Sequence, residues 1–345
     1  MILVFAIAGG LWGLGWAMGA PRRQRWLLIA ILWLSVIVFN LALPPDQVLR
    51  QMTGGDARVW LVLGGVFGLI LGYQALLKKL KIPSAATDAQ ADQAAFRTAE
   101  LDRYARHIML REIGGPGQRR LKDARVLVIG AGGLGSPALL YLAAAGVGTL
   151  GVIDDDVVDT SNLQRQIIHT DQRIDMPKVQ SATIAVQALN PFITMRPYNR
   201  RLTEDMAAEL IADYDLVLDG SDNFDTRYLV NRVCVALGTP LISGAITQWE
   251  GQLSLFDAAR GTPCYTCIFP TRPAPGLVPT CAEAGVAAPL PGVIGAMMAM
   301  EAVKHITGAG QTLAGRLMIH DALFFETRVI GIKPNASCEV CGIKH

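Results

Sequence analysis

The sequence has few cysteines and almost no net charge, and each shortage argues against a class of protein. Six cysteines in 345 residues are too few for a secreted scaffold held together by disulfides. A formal net charge of +2 at pH 7 gives no global signal for nucleic-acid binding, so we expect no nucleic-acid partner. No internal repeat is visible along the chain.

Charged residues are also missing from three long stretches near the N-terminus, residues 2–20, 26–43 and 59–77. Each has about the length that a helix needs to cross a bilayer. The apolar content of 51% and the mean hydropathy of +0.34 are high for an ordinary soluble enzyme, and the excess lies before residue 80. The sequence therefore predicts an α-helical transmembrane region over residues 1–81.

Basic residues near these segments predict their orientation. Three arginines lie within residues 22–25 and three lysines within 78–81, whereas the charges in the loop 44–58 are balanced. Basic loops stay in the cytoplasm, so three crossings place the N-terminus outside and everything after Lys81 inside. We therefore expect a multi-pass protein of the inner membrane with a cytoplasmic catalytic domain.

Other interpretations of this region remain open. The first segment could be a cleaved signal peptide, but it lacks a basic start and two more segments follow it. A soluble helical bundle would need another surface to cover apolar faces on all sides. A version with two crossings also fits. Residues 82–99 are rich in Ala, Gln and Asp and predict a linker to a domain over residues 100–345.

The stretch from Val126 to Asp154 predicts a nucleotide-binding unit. It contains an apolar run, the glycine-rich turn Gly130–Gly135, a run of small apolar residues, and a second apolar run that ends on Asp154. The glycines allow a tight turn close to a phosphate, and the helix that follows directs its N-terminal amides at the ligand. Asp154 is spaced to accept hydrogen bonds from ribose hydroxyls, and a turn that only packs a helix on a strand is the alternative.

Further strands and helices alternate along the chain after this unit. We predict a strand at residues 193–198, a helix at 203–212 and a buried strand at 216–219. This alternation predicts an α/β fold of the Rossmann-like type, with a mainly parallel sheet and helices on both faces. The apolar, Met-rich stretch 291–307 is interpreted as a helix of the core or of a dimer interface.

Three charged residues are candidates for handling phosphates. Arg165 and Lys178 are cations suited to phosphate groups, and Asp222 follows a predicted strand at the edge of the sheet where ligands bind. Asp222 is a candidate Mg²⁺ ligand. Taken singly, the two cations could be solvated surface charges and Asp222 could cap a helix, but their arrival together behind a glycine turn favours a binding site.

Four of the six cysteines form two C-x-x-C pairs, Cys264 with Cys267 and Cys338 with Cys341. Four thiolates in two such pairs predict a closed, structural Zn²⁺ site. A redox pair is the competing interpretation of a single C-x-x-C sequence. Cys281 is different, because it lies in a stretch flanked by proline and glycine between predicted elements, and we treat it as a catalytic candidate.

Several of these features occur together and in the same order in one known family. The sequence from about residue 101 to the C-terminus resembles the MoeB/ThiF/HesA family, bacterial relatives of ubiquitin-activating enzymes, and within it the molybdopterin-synthase adenylyltransferase type. The resemblance rests on Gly130–Gly135, Ser161-Asn162-Leu163-Gln164-Arg165-Gln166, Asp222-Asn223, Glu250-Gly251-Gln252 and the paired cysteines. It implies Mg-ATP binding without a Walker loop, and adenylation of the C-terminal Gly-Gly carboxylate of a small ubiquitin-like sulfur-carrier protein.

The resemblance also implies a role for each matching residue. Gly133 approaches the phosphates, Asp154 holds the ribose, and Lys178 stabilises charge on the phosphates. One segment wraps the triphosphate, with its arginine as the main cation: Ser161, Asn162, Leu163, Gln164 and Arg165.

The remaining implied roles concern the metal, the dimer and sulfur. Asp222, with Asn223 beside it, organises Mg²⁺. Arg106 matches an arginine that the family's homodimers supply to the ATP of the neighbouring subunit. Cys281 matches a loop cysteine that forms a sulfur-linked conjugate in some members and is dispensable in others.

The sequence leaves other functions open. A nicotinamide-dependent oxidoreductase shares the glycine signature, but Arg165, Lys178 and Asp222 argue against it and no hydride-handling pair is identifiable. A non-catalytic membrane adaptor is disfavoured by the complete set of motifs. The membrane region is an addition to the usual soluble family pattern, and no sulfurtransferase-like domain follows Cys341. The sulfur carrier could serve molybdopterin or thiamine synthesis.

Overall fold

The computed structural model describes residues 2–44, 46–80, 96–273 and 284–342. The chain forms two units, Met1–Gln93 and Ala94–His345. Among the described residues, the first unit has one buried apolar cluster and the second unit has two.

The first unit is helical over its described residues. Its helices are α1 (Ile2–Ala17), α2 (Arg22–Ala42), α3 (Val48–Met52) and α4 (Ala57–Leu80). The three predicted apolar segments fall within or across α1, α2 and α4, and the predicted loop 44–58 contains the short helix α3. Four side chains form the buried centre of this unit: Val4, Val36, Ile37 and Trp60.

Most other large apolar side chains of this unit are exposed. Trp16 is 74% exposed and Leu69 is 75% exposed, and many neighbours on α2 and α4 are similar. Among the described residues, one helical stretch, Arg23–Ala42, is long and apolar enough to span a membrane, and Leu3–Ala17 is a shorter apolar helix. One such helix gives partial support to a membrane region.

Over its described residues, the second unit contains one eight-stranded sheet. The strands are β1 (Arg125–Ile129), β2 (Thr149–Ile153), β3 (Thr194–Tyr198), β4 (Leu216–Asp219), β5 (Leu241–Ile246), β6 (Glu250–Phe256), β7 (Arg316–Asp321) and β8 (Glu326–Gly331). Their order in the sheet is β3-β2-β1-β4-β5-β6-β7-β8. The chain runs from β1 outward to β3 and then crosses to β4 on the other side of β1. A crevice for ligands is therefore expected between the carboxyl ends of β1 and β4.

The sheet is mixed, which refines the expectation of a mainly parallel one. The strands β3, β2, β1, β4 and β5 pair in parallel, and β5 to β8 pair antiparallel. The change of direction begins at β6. Only residues 247–249 separate β5 from β6, and a connection this short can join only antiparallel strands.

Helices cover both faces of this sheet, as the sequence predicts. The helices of the second unit are α5 (Thr98–Ile108), α6 (Gly114–Asp123), α7 (Gly135–Ala145), α8 (Lys178–Leu189), α9 (Glu204–Ala212), α10 (Phe224–Leu237), α11 (Tyr265–Ile268) and α12 (Pro289–Thr307). On β1, Val126 and Val128 face one apolar cluster, and Leu127 and Ile129 face the other. This alternation, which follows from the pleat of the strand, buries β1 on both faces.

Helix α12 matches the predicted Met-rich helix and belongs to the core on one side. Met298 is fully buried, whereas Met300 is 60% exposed. An added Cβ on Gly295 would lie 2.4 Å from the carbonyl oxygen of Leu134, so α12 packs closely against the start of α7. This contact brings the N-terminal end of α12 next to the glycine turn.

Candidate nucleotide-binding site

The glycine turn after β1 requires glycine at defined positions. Gly130 has φ +88°, a left-handed conformation that favours glycine. A Cβ on Gly135 would lie 1.8 Å from the carbonyl oxygen of Gly130, which no side chain could tolerate. A Cβ on Gly133 would lie 3.0 Å from Pro291 of α12. The turn is therefore tight and is packed against α12 on one side, and Gly130, Gly132 and Gly133 line the cavity on the other.

Asp154 lies at the end of β2 and is hydrogen-bonded to this turn. Its Oδ2 accepts from the amide of Ala131 at 2.7 Å, and its Oδ1 accepts from the amide of Asp156 at 2.9 Å. Burial raises the pKa of the Asp154 carboxyl, and the positive charge of Lys178 opposes the rise. A carboxylate has about four acceptor positions, so Asp154 can fix the turn and still accept from a ligand hydroxyl.

Lys178 is the first residue of α8 and is 4% exposed. Its Nζ lies 2.7 Å from Oδ2 of Asp156, whose side chain is 67% exposed. A cation at a helix N-terminus opposes the helix dipole, so helix stability does not explain this lysine. A buried ammonium with an exposed counter-ion is well placed to exchange that carboxylate for a ligand anion.

Arg165 is held beside the cavity by its own segment. Its guanidinium donates to the carbonyl oxygen of Ser161 at 3.2 Å and to Oδ1 of Asn162 at 3.4 Å. The amide of Gln166 donates to the same Asn162 oxygen at 2.9 Å, and Oε1 of Gln166 is buried without a partner among the described residues. Both bonds of Arg165 are long, so the guanidinium keeps donor capacity for an anion.

The turn after β4 carries the predicted metal ligand. Strand β4 ends at Asp219, three residues before Asp222, which lies in the following turn. Asn223 is the N-cap of α10, and its Oδ1 accepts from the amide of Thr226 at 2.9 Å. The capping residue is therefore Asn223, and the exposed Asp222 carboxylate precedes it.

These groups line one cavity of about 670 Å³ above the carboxyl ends of the parallel strands. A cavity of this size lies within the usual range for small-molecule sites. The predicted residues that line it are Gly133, Asp154, Asn162, Arg165, Lys178, Asp222 and Asn223. The structure thus brings the glycine turn, both cations and the candidate metal ligand to the same side of the sheet.

Other predicted residues lie elsewhere. Within the described part of the chain, Ser161, Leu163 and Gln164 are not among the residues that line the cavity. Ser161 instead donates its hydroxyl to Oδ1 of Asp159 at 2.5 Å. Arg106 is exposed on α5 and does not line the cavity of its own chain. Cys281 lies outside the described residues.

His169 is a residue that the sequence analysis missed. It is 5% exposed, and its Nε2 lies 2.9 Å from the carbonyl oxygen of Ala131 in the glycine turn. Its Nδ1 lies 2.9 Å from Oγ of Ser181 on α8. Burial lowers the pKa of His169 to about 4, so the ring is neutral at pH 7. The sequence offered one signal for His169, which is that it lies between two predicted parts of the site, the Ser161–Gln166 motif and Lys178.

The ring of His169 has one tautomer that satisfies both contacts. A carbonyl oxygen only accepts, so Nε2 carries the hydrogen and donates to Ala131. The unprotonated Nδ1 then accepts from the hydroxyl of Ser181. His169 therefore joins the glycine turn to the helix that begins with Lys178.

The four paired cysteines converge as a closed cluster. The sulfur atoms of Cys264 and Cys338 are 3.7 Å apart, those of Cys264 and Cys267 3.9 Å, and those of Cys267 and Cys341 3.3 Å. Tetrahedral zinc with Zn–S bonds of about 2.3 Å places sulfurs about 3.8 Å apart. The backbone amide of Asn335 donates to the Cys267 sulfur at 3.5 Å. The donor set is compatible with zinc.

Carboxylates at the cavity offer oxygen ligands for a divalent cation. Mg²⁺ binds through one or two carboxylates together with substrate phosphates, and the exposed Asp222 at the cavity fits that pattern. The carboxylates of Asp154, Asp155 and Asp156 also lie within 4.8 Å of one another beside the same cavity.

Comparison with solved structures supports the fold. Escherichia coli MccB, solved with MccA-N7isoASN, matches with a TM-score of 0.63 and 21% identity, covering 70% of this chain and 75% of that one. PaaA matches with a TM-score of 0.62 and 22% identity, covering 84% and 90%. At these identities the likeness concerns the fold alone.

Sequence comparison gives much higher similarity. A Thermus thermophilus protein named sulfur carrier protein adenylyltransferase is 50% identical over 247 residues, 70% of this chain and 91% of that protein. The SAMP-activating enzyme E1 of Haloferax volcanii is 48% identical over 243 residues, 70% and 89%. The probable adenylyltransferase/sulfurtransferase MoeZ of Mycobacterium tuberculosis is 50% identical over 247 residues, 71% and 63%. The model of the ThiF family matches residues 104–340, and the chain belongs to the ThiF family.

Proposed function

We propose that this chain is an adenylyltransferase that uses ATP to activate the C-terminal Gly-Gly carboxylate of a ubiquitin-like sulfur-carrier protein. The observation that carries the proposal is the convergence of Arg165, Lys178 and Asp222 with the glycine turn at one cavity. The names of the three relatives, all about 50% identical, support it.

The reaction needs charge compensation more than a protein nucleophile. A carboxylate oxygen of the carrier forms a bond to the α-phosphorus of ATP, and the bond from that phosphorus to the pyrophosphate oxygen breaks. The electron pair leaves with pyrophosphate, and the product is an acyl-adenylate. Both reactants are anions, so positioning and fixed positive charge supply most of the catalysis.

The residues of the cavity divide this task. Arg165 and Lys178 place positive charge at the phosphates, and Lys178 releases Asp156 to do so. Asp154 receives the ribose while it holds the glycine turn. Asp222 would hold Mg²⁺, which would neutralise charge on the triphosphate.

ATP–pyrophosphate exchange in the presence of a Gly-Gly carrier tests this proposal. We expect exchange with the intact carrier and none with a carrier that lacks its last glycine. Arg165→Ala and Asp222→Ala should abolish exchange while the chain stays folded. The matched control is Arg232→Ala, because Arg232 is exposed on α10 and pairs with Glu204 at 3.2 Å, away from the cavity.

The same assay separates the alternatives. Binding of NAD(H) without exchange would overturn the proposal in favour of an oxidoreductase. The molybdopterin-type carrier is the substrate we propose first, and a thiamine-type carrier is the second candidate. Parallel exchange assays with the two purified carriers distinguish them, because the correct carrier should have the higher kcat/KM.

We further propose that α1, α2 and α4 anchor the chain in the inner membrane, with the catalytic unit in the cytoplasm. The exposed apolar side chains of the first unit support this, since lipid would cover them. The arginines at 22–25 and the lysines at 78–81 support the orientation. Fractionation tests it: retention in the membrane pellet after alkaline carbonate extraction is expected, and release into the supernatant contradicts it.

The proposal includes a homodimer and a structural zinc ion. Arg106 is exposed and absent from the cavity lining of its own chain, which is consistent with a role at the neighbouring subunit. Mixing inactive Arg106→Ala with inactive Asp222→Ala protein should restore part of the exchange activity, because mixed dimers regain one complete site. Absence of complementation despite subunit exchange contradicts the shared site.

A further inference from the structure

Behind the turn that carries Asp222, two buried side chains of opposite charge face each other. Asp219, the last residue of β4, is 1% exposed, and Arg227, on α10, is 6% exposed. A terminal nitrogen of Arg227 lies 3.5 Å from Oδ2 of Asp219. That oxygen is buried and has no hydrogen-bond donor among the described residues, so its interaction is with the charge of Arg227.

Arg227 joins the Asp222 turn to the neighbouring strand. One terminal nitrogen donates to Oγ of Ser243 on β5 at 3.0 Å. The other donates to the carbonyl oxygen of Gly244 on β5 at 2.8 Å and to the carbonyl oxygen of Ser221, the residue before Asp222. The two terminal nitrogens thus make three hydrogen bonds within the protein, and the nitrogen that bonds Ser243 also lies beside Asp219, so Arg227 has little left to offer a phosphate.

Asp219 also holds this turn. Its Oδ1 accepts from the backbone amide of Ser221 at 2.9 Å and from the Ser221 hydroxyl at 2.6 Å. The amide of Gly220 donates to the carbonyl oxygen of Ile129 at the end of β1 at 3.0 Å. The residues that precede Asp222 are thus tied to β1, β5 and α10.

Stability alone does not account for this pair. Burying two charges costs desolvation energy, and apolar residues of the same size often serve stability equally well. A planar guanidinium, however, can meet several acceptors in fixed directions, which an apolar side chain or a lysine cannot.

We propose that the Asp219–Arg227 pair is a positioning device that sets the Asp222 carboxylate for the divalent cation of the nucleotide. This inference rests on the proposed function for its reaction, but cation binding can be measured without that reaction. Misplacement of a catalytic group by about 1 Å can cost about 10²-fold in rate, so rigid support of this turn matters.

The test is Arg227→Lys, which keeps the positive charge but replaces the planar guanidinium and its two terminal nitrogens with a single ammonium group. We expect kcat for ATP–pyrophosphate exchange to fall about 10- to 100-fold and the half-saturating Mg²⁺ concentration to rise about 10-fold. Binding of Mn²⁺ in the presence of a non-hydrolysable ATP analogue, followed by electron paramagnetic resonance, should weaken in parallel. Arg232→Lys on the same helix should match wild type in all three measurements.

A purely structural role predicts a different result. If Arg227→Lys lowers the melting temperature but leaves the Mg²⁺ dependence and Mn²⁺ affinity at wild-type values, the positioning role is refuted. If Arg227→Lys does not fold, the Ser243→Ala variant tests the same inference, because it removes a single hydrogen bond of the Arg227 guanidinium. A weaker Mn²⁺ affinity in Ser243→Ala supports the inference, and an unchanged affinity overturns it.

Failure of the proposed function is recognised separately. Wild-type protein that shows no exchange with any Gly-Gly carrier contradicts the proposed reaction, while the Mn²⁺ measurement still tests the pair. Wild-type exchange combined with wild-type cation dependence in Arg227→Lys contradicts only the positioning role.

Discussion

The neutral, buried His169 makes the stability of the catalytic unit depend on pH. Burial lowers its pKa from about 6.5 to about 4, so the folded state resists a proton that the unfolded state accepts. Well above pH 6.5 the ring is neutral in both states, and its contribution to stability no longer changes with pH. As the pH falls from 6.5 toward 4, the unfolded state gains the proton first and stability is lost.

The size of this effect follows from the shift. Each pKa unit corresponds to about 1.4 kcal/mol, so the full loss is about 3 kcal/mol, of which about 2 kcal/mol arises between pH 7 and pH 5. For a unit of this size, 1 kcal/mol moves the melting temperature by about 2–4 °C. Replacing His169 by Gln should therefore reduce the fall in melting temperature between pH 7 and pH 5 by about 4–8 °C.

The assay is differential scanning calorimetry of the full chain in detergent at both pH values. Ser181→Ala is the matched control, because it removes a hydrogen-bond partner of the ring but leaves the ring able to titrate. It should lower the melting temperature at both pH values and keep the steep pH dependence. If His169→Gln shows the same pH dependence as wild type, our account of the buried neutral ring is wrong.

Three further perturbations have defined outcomes. Lys178→Gln should lower exchange by about 10²-fold, with zinc content unchanged, because a cation at the phosphates is lost; activity near wild type would argue against its role. Cys267→Ser should reduce the metal content from about one zinc per chain to none, measured by elemental analysis. Gly135→Ala should abolish ATP binding in calorimetry, because the added methyl group would overlap the Gly130 carbonyl oxygen; wild-type affinity would contradict the tight turn.

Local sequence patterns were sufficient for much of the fold. The apolar run 126–129, the glycine turn and Asp154 predicted β1, α7 and β2 because each element has its own short-range signal. The strand at Leu216–Asp219 and the helix at Glu204–Ala212 were also found within a residue or two. The antiparallel arrangement of β6–β8 was missed, partly because β6 and β7, which pair in the sheet, are separated by residues 257–315 and no local pattern encodes their pairing.

The candidate site was predicted only in part, for a related reason. Arg165, Lys178 and Asp222 were recognisable because they are charged and follow predicted strands or turns. His169 and Arg227 were missed because their importance lies in buried contacts with Ala131 and with Ser221 and Gly244, which no local pattern encodes. The predicted roles of Ser161, Leu163 and Gln164 stay predictions, since these residues do not line the cavity.

The sequence by itself determined the kinds of chemistry available: uncharged apolar segments near the N-terminus, a glycine turn, two cations, a carboxylate and two cysteine pairs. These are properties of residue type and short spacing, which do not depend on how the chain folds back on itself. Only the tertiary structure decided that residues from 133 to 223 in the chain meet at one cavity, and that the cysteine pairs, about seventy residues apart, meet as one cluster. The physical reason is that β1 and β4 are parallel neighbours in the sheet. The turns that follow these two strands are far apart in the sequence, but they lie side by side at the same edge of the sheet.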